Sequence, residues 1–404
     1  MRAADPTTVH PTLQALHADA ARYAGIRQDI HRHPEMGFQE HRTSELVAQW
    51  LTQHGYAVTR GLGGTGIVGQ LKRGSGNKRL GIRADMDALP IQEATGLPHA
   101  SCHAGVMHAC GHDGHTAMLL ATARHLAEHG RFSGTLNLIF QPAEEGLGGA
   151  VKMMADGLFD RFPCDAIFAM HNMPGYPAGH LALRDGAAMA SSDYVDITLR
   201  GLGGHGAMPH RAADPVVAGS SLVMALQTVV SRNVDPLQMA VVTVGAFLAG
   251  EANNVIPPHA ILRLSVRALD RGVRTQLRQR ITEIAHQQAA SFGCTADVDY
   301  RPGYCVLVNS KPETDFARQV ALELVGPECV VLQAPALAAS EDFAFMLEQV
   351  PGSYLLVGNG DGADGGTFAG HACMVHNPGY DFNDAALPVG AAYWALLTER
   401  FLTD

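Results

Sequence analysis

Nothing in the sequence runs apolar for the roughly 20 residues that a membrane helix needs. Residues 1–29 mix Ala, His, Asp and Arg without an apolar stretch, so a secretory signal is not expected there. Basic charge is in short supply: 29 Lys and Arg stand against 39 Asp and Glu, a net charge of −10, which argues against a nucleic-acid surface. The seven cysteines are odd in number and scattered from Cys102 to Cys373, so a disulfide framework is excluded and a reduced, cytoplasmic setting is expected. No G-x-S-x-G elbow occurs, which removes the usual serine-hydrolase reading, and no internal repeat is visible.

What is present is ample apolar material. With 47% hydrophobic residues and 404 positions, the chain can form a large core and is long enough for about two domains. Two helices are expected between Pro11 and Tyr56, the first broken by Pro34. Short strands bounded by glycine are expected at Ile67–Leu71 and Leu80–Ala84. Further on, a helix over Thr116–His129 is followed by strands at Thr135–Phe140 and Ala166–Met170, with a helix between them. This alternation predicts an α/β fold with a mostly parallel sheet.

The pattern then changes. Tyr194–Arg200 alternates apolar Val195, Ile197 and Leu199 with polar Asp196, Thr198 and Arg200, as a half-exposed strand does. Helices at Pro215–Asn233 and Val273–Phe292, with strands at Ala240–Phe247, Ala260–Ala268 and Ala296–Tyr300, complete a β-α-β-β-α-β order, that of a ferredoxin-like α+β unit. Buried α/β character returns afterwards, with a strand at Tyr354–Val357 and a final helix over Ala385–Phe401. The expected boundaries are residues 1–187 and 303–404 for the main domain and 188–302 for the insertion. Gly358–Gly370 is expected to be a mobile glycine-rich loop.

Two glycine runs imitate dinucleotide motifs. The run Gly61–Gly66 precedes a strand rather than a helix, and after Gly201–Gly206 Pro209 delays the helix to about Asp214. Neither has the context that a nicotinamide site needs.

The chemistry gathers around Met107-His108-Ala109-Cys110-Gly111-His112-Asp113-Gly114-His115. A thiolate and an imidazole two residues apart can face one metal from a single turn, with Gly111 relieving the turn. Alone, this pair also fits an ordinary loop. In parallel sheets, however, ligands gather beyond the carboxyl ends of strands, and Asp85, Glu144, Glu145 and His171 fall there. The donors Cys110, His112, Glu145, His171 and His376 would serve two metals bridged by the Cys110 thiolate. Glu145 and His376 would hold one, and His112 and His171 the other. Glu144 is then left as a base to deprotonate water.

The stretches Arg83–Pro90, His108–His115, Gln141–Glu145 and His376–Asp384 resemble, in this order and over nearly the whole chain, the amidohydrolase family of hippurate hydrolase, bacterial N-acyl-amino-acid amidohydrolases and plant indole-acetyl-amino-acid hydrolases, which are dinuclear metallopeptidase-like enzymes. The resemblance implies hydrolysis of the amide bond of N-acyl amino acids, the same five ligands, Glu144 as base, and an inserted lid or dimerisation domain. It places Asp85 and Asp87 behind the ligands, although a solvated or capping pair is the plainer reading. It also implies that His205 polarises the scissile carbonyl while Asn254 and Arg267 hold the substrate carboxylate. Independently, Leu262, Leu264 and Val266 should face inward, leaving Arg263, Ser265 and Arg267 on the open face. Homodimerisation through the insertion follows from the same resemblance, with His205 of one chain completing the site of the other.

Other candidates have plainer readings. His99, His103, His108 and His115 are expected to be structural or supporting, His371 and Cys373 incidental, His31 and His33 a surface pair, and Glu341-Asp342 a helix cap. The competing functions are a dipeptidase or carboxypeptidase of the same metal chemistry and an inactive metal-binding protein. Zinc, manganese, cobalt and nickel all suit the donor set.

Overall fold

The computed structural model describes residues 10–362 and 370–403. The chain opens with α1 (Pro11–Ala18), α2 (Ala20–Arg32) and α3 (His41–Gln53), then β1 (Ala57–Leu62), β2 (Gly66–Arg73) and β3 (Arg79–Asp85). Next come α4 (His112–His129), β4 (Gly134–Gln141), α5 (Gly149–Ala155), α6 (Leu158–Arg161), β5 (Ala166–Pro174), β6 (Leu181–Ala182) and β7 (Gly186–Met189). The middle of the chain supplies β8 (Ser191–Arg200), β9 (Gly204–His205), α7 (Pro215–Asn233), β10 (Ala240–Ala249), β11 (Val255–Ile256), β12 (His259–Ala268), α8 (Arg271–Ser291) and β13 (Thr295–Pro302). The last stretch holds β14 (Leu307–Asn309), α9 (Lys311–Val325), β15 (Val330–Val331), α10 (Phe343–Leu347), β16 (Gly352–Gly360) and α11 (Ala386–Phe401).

Two compact units result. One takes the chain up to Gly186, Val308–Pro335 and the residues from Phe345 onward; the other takes Ala187–Leu307 and Ala336–Ala344.

The first unit is built on an eight-stranded sheet in the order β1-β2-β4-β3-β5-β16-β6-β15. The pairs β4/β3, β3/β5, β5/β16 and β6/β15 are parallel. Antiparallel pairs, β1/β2, β2/β4 and β16/β6, complete the sheet on either side. The fold is therefore α/β with a mostly parallel sheet. β3, β4 and β5 read as near-continuous apolar runs because both faces are covered. α11 is buried over most of its length, which explains why it is apolar all round. It approaches α4 so closely that a Cβ on Gly390 would meet the Met118 sulfur at 2.1 Å.

The N-terminal segment holds three helices rather than two, because α1 ends at Asp19, whose amide N–H turns back to Leu16 O at 3.3 Å. β1, α9 and the short strands β6, β7, β14 and β15 were not legible; most are too brief to show a period. Gly358–Gly360, expected in a mobile loop, belongs to β16, and residues 363–369 of that expectation lie outside the described residues.

In the second unit the sheet order β10-β12-β8-β13, antiparallel throughout, is the ferredoxin-like arrangement. Val195, Ile197 and Leu199 of β8 and Leu262, Leu264 and Val266 of β12 bury against Leu222, Leu226 and Val229 of α7 and Leu277 and Ile281 of α8. The strand alternation thus puts Arg263, Ser265 and Arg267 on the other face, as expected. Asp214 caps α7 by accepting from Val216 N–H at 2.8 Å, with Pro215 at the first helical position. Asp270 caps α8 in the same way.

Candidate metal centre

The donors converge at the carboxyl ends of the parallel strands of the first unit. Asp85 is the last residue of β3, Glu144 and Glu145 follow β4, Cys110 leads into α4, and His376 lies on the loop before α11. His171 is inside β5 rather than beyond it, because pairing with β16 carries the strand on to Pro174. Three backbone positions here are unusual. Gly111 has φ +86, and Ala143 and His376 have φ +53 and +66, an uncommon conformation for residues bearing a Cβ. His376 is held there by its N–H, which donates to Ala109 O at 2.7 Å and ties its loop to the Cys110 loop.

Two donor triplets share the cysteine. Cys110, His112 and His171 present ligand atoms within 4.8 Å of one another, and so do Cys110, Glu145 and His376. Cys110 Sγ is 3.3 Å from His171 Nε2, and His376 Nε2 is 3.2 Å from Glu145 Oε1. Glu144 stands within the same 4.8 Å of His112 and Glu145. The His376 side chain is about half exposed (51%), whereas Cys110, His112 and Glu144 are buried, so the site opens to solvent on one side.

The polar inventory fits divalent cations. His112 Nε2 is buried, makes no hydrogen bond and lies 4.0 Å from Glu145 Oε1. Burial, and then the charges of Glu145, Glu144 and Asp85, push the Cys110 thiol well above its usual range. Burial opposes charging His112, yet Asp85, Asp87 and Glu145 push its pKa up to about 10. A cation among these donors would supply the positive charge that the cluster draws from protons.

Behind the donors, Asp85 and Asp87 are neither solvated nor helix caps. Asp87 Oδ1 accepts from His112 Nδ1 at 3.2 Å and Oδ2 from the Glu145 N–H at 3.0 Å, so one carboxylate orients two donors. Asp85 accepts from His115 Nδ1 at 2.6 Å and from Arg83 at 2.6 Å.

His31 corrects the expectation of a surface pair. It is fully buried, with Nδ1 2.9 Å from Asp113 and Nε2 3.3 Å from Glu93. Arg27, also buried, reaches Asp113, Asp381 and Asp384. The clue missed in the sequence is that α2 carries Arg27 and His31 four residues apart, on one face. His108 is buried without a hydrogen-bond partner, and burial lowers its pKa to about 3, which keeps it neutral. His103 is exposed, His99 contacts Asp381, and Glu341 accepts from Phe343 N–H at the start of α10, as a cap does.

Within the second unit, His205 and Asn254 are brought together. His205 of β9 pairs with Val255 of β11, and Gly206 N–H donates to Asn254 O at 2.8 Å. Both side chains are exposed. His205 Nδ1 accepts from Ala207 N–H at 3.0 Å, so in the neutral ring Nε2 carries the proton. Arg267 donates to Ser340 Oγ at 2.9 Å.

This combination of a mostly parallel α/β unit, a ferredoxin-like insertion and a Cys/His/Glu cluster defines a class of metal-dependent hydrolases. The chain belongs to Peptidase family M20/M25/M40, whose sequence profile matches residues 81–400. It is 46% identical to a hippurate hydrolase of Campylobacter jejuni, over 93% of this chain and 96% of that protein. It is 37% identical to an N-acetyl-L-cysteine deacetylase of Bacillus subtilis, over 94% and 88%. Among solved structures it resembles a dinuclear metal-binding peptidase of the M20 family from Bacillus subtilis, with a TM-score of 0.81, 32% identity and coverage of 96% and 99%.

Proposed function

We propose that the chain hydrolyses the amide bond of N-acyl or N-aroyl amino acids to a carboxylic acid and a free amino acid. The observation that carries this reading is the pair of donor triplets sharing Cys110 with Glu144 beside them. It is supported by 46% identity to a hippurate hydrolase over nearly the full length of both chains. The enzyme is a metal-dependent amidohydrolase. Two divalent ions would be held, one by Cys110, His112 and His171 and the other by Cys110, Glu145 and His376; zinc, manganese, cobalt and nickel all match the mixed donors. Bound there, such ions would supply Lewis-acid polarisation of the scissile carbonyl and lower the pKa of the attacking water.

The remaining steps belong to the chain's own residues. Glu144 accepts the proton of the attacking water and delivers it to the leaving nitrogen. His205, through Nε2–H, stabilises the developing negative charge on the carbonyl oxygen. Asn254 and Arg267 hold the substrate carboxylate, with Ser340 steadying the guanidinium. Asp85 and Asp87 keep the histidines aimed. The second unit serves as lid and as the dimer surface: β10 is an edge strand, and Phe247 and Leu248 on it and Val217 and Met224 on α7 are exposed. The free thiols support a reducing, cytoplasmic setting.

The test combines metal analysis with a substrate panel. The purified protein should contain close to two divalent ions per chain and release glycine from N-benzoylglycine, while unblocked dipeptides remain intact. Cleavage of dipeptides alone would favour the peptidase reading, and a metal-loaded but inert chain would favour a binding protein.

A further inference from the structure

The donors come from four distant parts of the chain: the Cys110 loop, the turn after β4 with Glu145, β5 with His171, and the His376 loop. One residue of β5, next to His171, links three of them. Asn172 is fully buried, and its Nδ2 donates to Cys110 O at 2.6 Å. Its Oδ1 accepts from the Tyr380 hydroxyl at 2.7 Å, and Tyr380 lies four residues after His376. Its backbone acts as well. His171 Nδ1 donates to Asn172 O at 2.6 Å, which leaves His171 Nε2 unprotonated and pointing to within 3.3 Å of Cys110 Sγ. The Asn172 N–H donates to His115 Nε2 at 2.9 Å, and His115 is braced in turn by Asp85 at 2.6 Å.

These bonds fix the amide orientation without ambiguity. A carbonyl oxygen can only accept, so Nδ2 must face Cys110, and Oδ1 is then left for the tyrosine hydroxyl. Space is equally restricted. A Cβ on Gly111 would meet Asn172 Nδ2 and Tyr380 Oη each at 2.4 Å, so the glycine between two donors leaves room for this pair. Burial raises the value of each bond, because a partner lost in a site without water leaves a polar group unsatisfied.

We infer that Asn172 is a positioning residue that holds the donor segments in register, with Tyr380 as its second anchor, so that both triplets present Cys110 correctly. Its bonds run to protein groups, so its effect runs through Cys110, His171 and the His376 loop. The inference rests on the metal-centre reading above.

The experiment titrates the intact apo-protein with cobalt(II) and follows the thiolate-to-cobalt absorption band together with the dissociation constant from chelator competition. The parent should show the band; if it takes up no cobalt, the metal-centre reading itself fails. Asn172→Leu keeps the volume and removes the side-chain hydrogen bonds. It should weaken cobalt binding by about 10–100-fold, the range for losing a group that orients metal ligands, and should shift the band. Tyr380→Phe, the milder change, retains the ring and should weaken binding in the same direction, keeping the inference testable if the leucine variant fails to fold. The two losses should be less than additive, since both break one chain of bonds. Parent-like affinity and an unchanged band in a folded variant of either kind would overturn the inference while leaving the metal centre intact.

Discussion

At the scale of single residues, the two buried acidic and sulfur groups at the site have separable roles. Cys110 belongs to both triplets, so Cys110→Ser should remove most of the bound metal and nearly all activity while the fold survives. Metal counting by mass spectrometry, with circular dichroism as the control, decides this; undiminished metal would take Cys110 out of the bridge. Glu144→Gln keeps the shape of the side chain but cannot accept a proton. Metal should stay, substrate should still bind, and kcat should fall by roughly 10²–10⁴, the range for a lost general base. Turnover at the parent rate would assign the base elsewhere. Cys110, His112 and the Glu144-Glu145 pair were legible from residue type and spacing. His31 was not, because a histidine beside His33 and Pro34 looks the same in sequence whether the helix face it occupies is exposed or covered.

At the scale of elements, His31 and Arg27 of α2 are ion-paired with Asp113 in the first turn of α4, next to His112. Burial opposes the charge on His31, but Asp113 and Glu93 push its pKa up to about 9, from an ordinary value of 6.5. The folded value lies above the unfolded one. The stabilisation is therefore fully present below about pH 6.5 and is lost as pH rises through about 9. Its size is on the order of 3 kcal/mol before allowing for the coupling with Asp113. With a chelator present to remove metal linkage, the melting temperature of the parent should fall between pH 6.5 and 9.5 by more than that of His31→Asn. Parallel curves for the two proteins would show that the ring is not charged in the fold.

At the scale of the whole molecule, the prediction concerns two copies. If His205 acts on the partner's site, Glu144→Ala and His205→Ala homodimers should both be nearly inactive. A mixed dimer has one site lacking both groups and one site with both intact. Random re-association makes half the dimers mixed, each with one good site of two, so about a quarter of parent activity should return. If activity stays at the level of the separate variants once exchange is verified by native mass spectrometry, His205 does not act across the dimer.

Much of the architecture is local and was therefore readable. The strand alternation of β8 and β12, the start of α7 at Pro215 and the placement of donors after β3 and β4 all follow from side-chain period, capping and strand-end chemistry. The sequence by itself determined which donor-bearing residues fall at or just after the strand ends and where an alternating, half-exposed pattern interrupts the buried α/β one. Only the tertiary structure decided the rest. The left-handed turn at His376, the closeness of Asn172 to Tyr380 across 208 positions and the burial of His31 against Asp113 across 82 depend on which loops the sheet order brings together. Such pairings leave no periodic trace, because a hydrogen bond between distant segments constrains one residue on each and nothing around it.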